Sequence, residues 1–201
     1  MNSHRMKFLY PALMTGACAT LLASCASAPP PPAWVGAAPE QRVVEIRAAA
    51  DAQPGELDVQ PLRDPMVEDL RVQAARLEGE RRYADAATAL DQALAISPDD
   101  PALLQERAES AMLERNPARA AELALRGYGL GSKVGPLCRR HWATIRQARM
   151  FEVERLRAQA LAARRDDDIA RFVAEADARM PGIAEAQRQV EACTLTGPPR
   201  Y

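Results

Sequence analysis

The sequence predicts an all-α protein, a short solenoid of helix–turn–helix units closed by atypical helices at its C-terminal end. Three observations carry the prediction. Ala, Leu, Arg and Glu dominate a chain with only 10 glycines and 4% aromatic residues, a composition that favours helices over strands. From Met66 onward the apolar residues recur at helical spacing. The punctuation agrees with that spacing: Asp100-Pro101 and Asn116-Pro117 each set a capping side chain before a proline at the first helical position.

Taken in order, the first segment is not part of that fold. Met1 to Lys7 contains Arg5 and Lys7 and no acid, and Phe8 to Leu22 is then mostly apolar, interrupted by Pro11. A basic start and a short apolar stretch fit a secretory signal peptide over 1–24, whereas a spanning helix needs about 20 apolar residues. Within it, Leu22-Ala23-Ser24-Cys25 resembles the lipobox of bacterial lipoproteins. The resemblance implies cleavage between Ser24 and Cys25, diacylglyceryl attachment to the Cys25 sulfur and acylation of the new amino terminus. Several acyl chains make a stable anchor, where one gives only marginal binding. Cys18 is a poorer match because it lacks a large aliphatic residue three positions back. Ala26, not Asp, follows Cys25, and by the sorting rule of enteric lipoproteins this implies the outer membrane, with the protein facing the periplasm.

Residues 25–38 read as a tether, since Pro29 to Pro32 prefer the extended polyproline II helix. Trp34 suits the lipid interface. Residues 39–65 form a partly extended arm. Glu40 to Ala52 fits a short helix, but Arg42-Val43-Val44-Glu45-Ile46 fits a strand equally, and both readings stay open. Pro61 and Pro65 keep the residues before them extended. The arm is expected to pack across the first helices of the domain.

Residues 66–134 hold two repeats. Leu70, Ala74, Leu77, Tyr83, Ala86, Leu90, Ala93 and Pro98 stand at the spacing of a tetratricopeptide (TPR) repeat, which the segment 66–100 resembles. A shift of one period, about 34 residues, places Leu104, Ala108, Ala111, Ala120 and Ala124 on the corresponding sites. Arg81 and Arg115 depart from the family, which prefers Gly there, and Gly127 stands where it expects Ala. Gly127, Gly129 and Gly131 mark the end of the second repeat.

Residues 135–193 begin as a third repeat-like helix, with Cys138, Trp142 and Ile145 on inner positions. The family pattern stops at Glu154, which replaces an Ala, and the helix is expected to run on to about Arg165 through Val153, Leu156, Ala160 and Ala163. Asp166 to Asp168 are placed to cap a further helix that contains Ile169, Phe172, Val173, Ala176 and Met180. Pro181 is expected to start another, ending near Cys193, before a tail at 194–201. Atypical terminal helices suit a repeat array, whose last unit has no neighbour to bury it.

A formal net charge of −1 gives no basis for nucleic-acid binding. Removal of His4 with the leader leaves His141 alone, which excludes a His-rich metal site or a His-based acid–base pair. Cys138 and His141, three apart on one helix face, lack an orienting third group, and Cys193 added to them makes an incomplete metal set. The Asp166–Asp168 run lacks the Gly and distal Glu of a calcium loop. No catalytic residue, metal, cofactor or small-molecule substrate is expected. With Cys25 lipidated, Cys138 and Cys193 are the remaining thiols in an oxidising compartment, so a disulfide is the expectation and two free buried thiols the alternative.

Arg139, Arg140, Arg146 and Arg149 read as a solvated helix face. In TPR proteins the concave wall is lined by first helices. The resemblance places Glu68, Arg71, Gln105, Glu109, Arg139 and Arg146 there as candidate contacts for an envelope protein or peptide. The chain is similar in plan to repeat lipoproteins that assist envelope assembly. The function expected is a non-enzymatic interaction adaptor; the alternatives are a self-associating structural lipoprotein and a small periplasmic cell-wall enzyme.

Overall fold

The structure is a computed structural model that describes residues 36–51 and 62–194. The signal peptide, Ser24 and Cys25 of the lipobox, Trp34 and most of the tether, part of the arm and the tail from 195 lie outside the described residues.

The described residues form α-helices and no strand: α1 (Pro39–Ala48), α2 (Pro65–Gly79), α3 (Tyr83–Ile96), α4 (Pro101–Leu113), α5 (Pro117–Leu130), α6 (Pro136–Ala162) and α7 (Asp166–Ala192). Prolines open α1, α2, α4, α5 and α6, where a missing N–H costs nothing. Side chains of Asp64, Asp100 and Asn116 accept hydrogen bonds from the first-turn amides of α2, α4 and α5, as the cap signals at 100 and 116 predict.

Helices α2 and α3 pair, as do α4 and α5, and α3 packs on α4 to join the two units. The first buries Val67, Ala74, Leu77, Ala86, Leu90, Ala93 and Leu103 together. Leu70 is partly buried and packs against this cluster. Leu104, Ala108, Leu123, Ala124, Ile145 and Ala186 continue the core toward α6 and α7. Small residues at the crossings let the helix axes approach closely.

The turns inside the two units share one feature. Arg81 and Arg115 both adopt a left-handed backbone with φ 59°. Each lets the next amide reach back to the helix it ends, Arg82 N to Leu77 O at 2.9 Å and Asn116 N to Ala111 O at 2.8 Å. The departures from Gly at these sites are therefore non-glycine residues carrying a glycine conformation.

Two expectations are corrected at the C-terminal end. Pro181 does not start a helix; α7 runs continuously through it. Packing on α6 holds both sides of the proline, through Phe172 and Ala176 before it and Ile183 and Ala186 after it, and outweighs the lost backbone bond. Val173 and Met180 are 44% and 41% exposed, because α7 packs on α6 along a narrow seam that leaves its flanks in solvent. Asp166 to Asp168 occupy the first turn of α7 without a side-chain cap bond. The Cys138 and Cys193 sulfurs lie 2.01 Å apart, so the pair is placed for a disulfide between the start of α6 and the end of α7. Gly135 N donates to Cys193 O at 2.7 Å beside it.

The arm resolves in favour of helix. Helix α1 packs on α4 and α6, further along the array than the first helices the sequence suggested.

Candidate functional site

Helices α2, α4 and α6 are the first helices of successive units, and α1 lies across the last two of them. Its buried apolar residues, Val43 and Ile46, rest on Ala111, Met112, Ala143, Ala148 and Phe151. The rest of its attachment is polar.

Arg42 is fully buried; it donates to Gln147 Oε1 at 2.9 Å, pairs with Glu154 and lies 5.6 Å from the Phe151 ring centre. Gln147 in turn donates to Glu45. Glu154, the residue that breaks the repeat pattern, is thus the acid that holds Arg42. The chain enters α1 through Gly36 at φ +135°, where a Cβ would collide with the Glu154 carboxylate. On the other flank, Arg47 donates to Glu109 Oε2 at 2.9 Å and to Glu78 Oε1 at 2.8 Å. Burial lowers the Arg47 pKa, but its bonds to Glu78 and the Glu109 charge outweigh this and hold it above the ordinary value. Tyr83 donates to Glu40 at 2.8 Å. A backbone hydrogen bond and then this one keep the Glu40 carboxyl below its usual range. At the far end, Arg139 donates to Ala49 O at 2.9 Å and Asp51 O at 3.1 Å, satisfying carbonyls that follow α1.

Beneath α1 runs a buried network. Glu109, with no exposed surface, accepts from Arg47, from Arg140 and from Gln105 Nε2 at 2.8 Å. Gln105 also donates to Thr144 Oγ1 at 2.7 Å, and its Oε1 stands 2.8 Å from His141 Nδ1. An amide oxygen only accepts, so the imidazole carries its proton on Nδ1. Burial, with the Arg140 charge beside it, lowers the His141 pKa to about 4, and the ring is neutral. Its other face fills the space of a missing side chain: a Cβ on Gly127 would stand 2.5 Å from His141 Cε1. That accounts for Gly where the family expects Ala.

The sequence-derived contacts divide accordingly. Gln105, Glu109 and Arg139 are buried and engaged within the chain; Glu109 meets α1 directly and Arg139 meets the two carbonyls that follow it. Arg146 donates to Gln187 of α7 and does not face the groove. Glu68 and Arg71 border a cleft of about 360 Å³ left open beside α1, with Val72, Ala75, Glu78 and Glu106 around it. Arg71 bridges Glu106 and Glu68, and the Glu106 bond above all raises its pKa. The basic stretch is no solvated face: Arg139 donates to Ala49 O and Asp51 O, Arg140 binds Glu109, Arg146 binds Gln187 and Arg149 donates to Gly182 O. Among the described residues no three His, Cys, Asp or Glu converge to hold a metal. No helix there is long and apolar enough to cross a membrane.

Arg42, Arg47, Arg140 and Gln147 complete the groove and were absent from the sequence-derived set; only Glu154, as a departure from the repeat, carried a signal. No protein-family model, curated protein or solved structure matches this chain, and the groove is read on its own chemistry.

Proposed function

We propose that the chain is a non-enzymatic adaptor, held by lipid on Cys25 at the outer membrane and binding another envelope protein with TPR-like repeats. The lipobox-like Leu22-Ala23-Ser24-Cys25 supports the anchor and the address. The observation that carries the adaptor role is the face that α2, α4 and α6 share. It already grips one helix through paired charges and leaves a charged cleft open beside it. Helix-in-groove binding is a standard use of such a surface.

The test is site-specific photocrosslinking in cells, with the probe at Val72 on the cleft and a control probe at Leu161 on α6, both exposed. Recovery of one envelope protein from Val72 and not from Leu161 is expected. Recovery of only a second copy of this chain supports self-association instead, and equal labelling at both sites overturns the groove. A Cys25→Ala variant that still fractionates with the outer membrane overturns the anchor.

A further inference from the structure

Helix α1 occupies the place where a partner is expected. Its main packing is on α4 and α6, and it meets its chain neighbours α2 and α3 through the Arg47–Glu78 and Glu40–Tyr83 pairs. Of the six residues assigned to partner contact, Glu109 binds Arg47 of α1 and Arg139 binds the Ala49 and Asp51 carbonyls just after it.

The four side chains that seat α1 have a definite pattern. At about 100° per residue, Arg42, Ile46, Val43 and Arg47 fall in that order around one arc of about 140°, apolar in the middle and cationic at both edges. The repeat body answers in kind. Phe151, Met112 and Ala143 form the floor, Gln147 and Glu154 lie along one wall, and Glu78 and Glu109 along the other. Emptied of α1, the groove would leave the wholly buried Glu109 with fewer compensating donors, so the site favours a cationic occupant. Sixteen residues, 49–64, join the end of α1 to the start of α2. Extended, they span up to about 50 Å, enough for α1 to leave without disturbing α2.

We propose that α1 is an intramolecular stand-in for a partner helix. The groove selects in trans a helix with two arginines five residues apart enclosing an apolar pair, and α1 competes with it. This rests on the adaptor reading and names the partner's chemistry. Arginine is specified over lysine because Arg42 and Arg47 each reach two acceptors with a planar fork.

The test uses the full mature chain with a protease site inserted within 52–61, and a fluorescent peptide of residues 36–51 as the probe. Cutting frees α1 from the body while leaving every described helix intact in sequence. The nicked protein is expected to keep its helical circular dichroism and to exchange the peptide in, at least 10-fold more tightly than the uncut protein. An Arg42→Lys peptide and a scrambled peptide are each expected to bind at least 10-fold more weakly than the native one. Equal binding to cut and uncut protein overturns the proposal. So does a folded nicked protein that takes up no peptide, and so does loss of the fold on nicking, which would make α1 part of the core. Native and Arg42→Lys peptides of equal affinity overturn the arginine rule. No cellular partner enters this assay, so its failure is separate from failure of the crosslinking that tests the adaptor role.

Discussion

His141 should make the protein sensitive to mild acid between pH 7 and pH 5, above the range in which most carboxylates titrate. Its pKa is lowered from 6.5 to about 4 by burial and then by Arg140. A folded value below the unfolded one means that the unfolded chain binds the proton more readily. The contribution to stability is therefore complete above about pH 6.5 and is lost as the pH falls toward 4. Integrating between these two values, a change from pH 7 to pH 5 removes about 2 kcal/mol. The assay is urea unfolding followed by far-ultraviolet circular dichroism at both pH values, for the native chain and for His141→Gln, whose side chain does not titrate. The native chain is expected to lose about 2 kcal/mol more than the variant over that interval. Equal losses in the two proteins would refute the neutral, buried imidazole and the network drawn around it.

Arg81→Gly and Arg115→Gly should each raise stability by about 0.5–1 kcal/mol, since both residues hold φ 59° at a cost that glycine avoids. A fall in melting temperature in both would contradict the left-handed turns. Gly127→Ala should cost about 1–3 kcal/mol by overpacking against His141, and the cost should shrink in a His141→Ala background. Thermal melts of the double-mutant cycle check this, and a cost independent of residue 141 counts against it. With Cys138 and Cys193 separated by 55 positions in the chain, removing the link by Cys193→Ser should cost about 4 kcal/mol in the chain-entropy picture. Unchanged melting together with unchanged non-reducing gel mobility would show the bond is not formed.

How far the structure was legible from the sequence follows from the range of the interactions. Caps, repeat phase and the buried alanines are local or periodic, and Asp100, Asn116, Ala108, Ala120 and Ala124 stand where the pattern puts them. The departures from the pattern were visible as departures. Their causes lay elsewhere in the chain: His141 for Gly127, and Arg42 for Glu154. Pro181 misled because its local effect is to break a helix, while packing on α6 along both sides of it is a tertiary effect. The arginines at 139, 140, 146 and 149 misled for the same reason, as a charge run carries no mark of the carbonyl or carboxylate that will meet it.

The sequence by itself determined an all-helical chain of repeated helix pairs, because backbone propensity, capping and a fixed apolar period are written in neighbouring residues. Only the tertiary structure decided what fills the groove. The short arm before the repeats was as good a strand as a helix on its own residues. It became a helix on α4 and α6 because acceptors some 30 to 110 residues away, Glu78, Glu109, Gln147 and Glu154, converge on its two arginines.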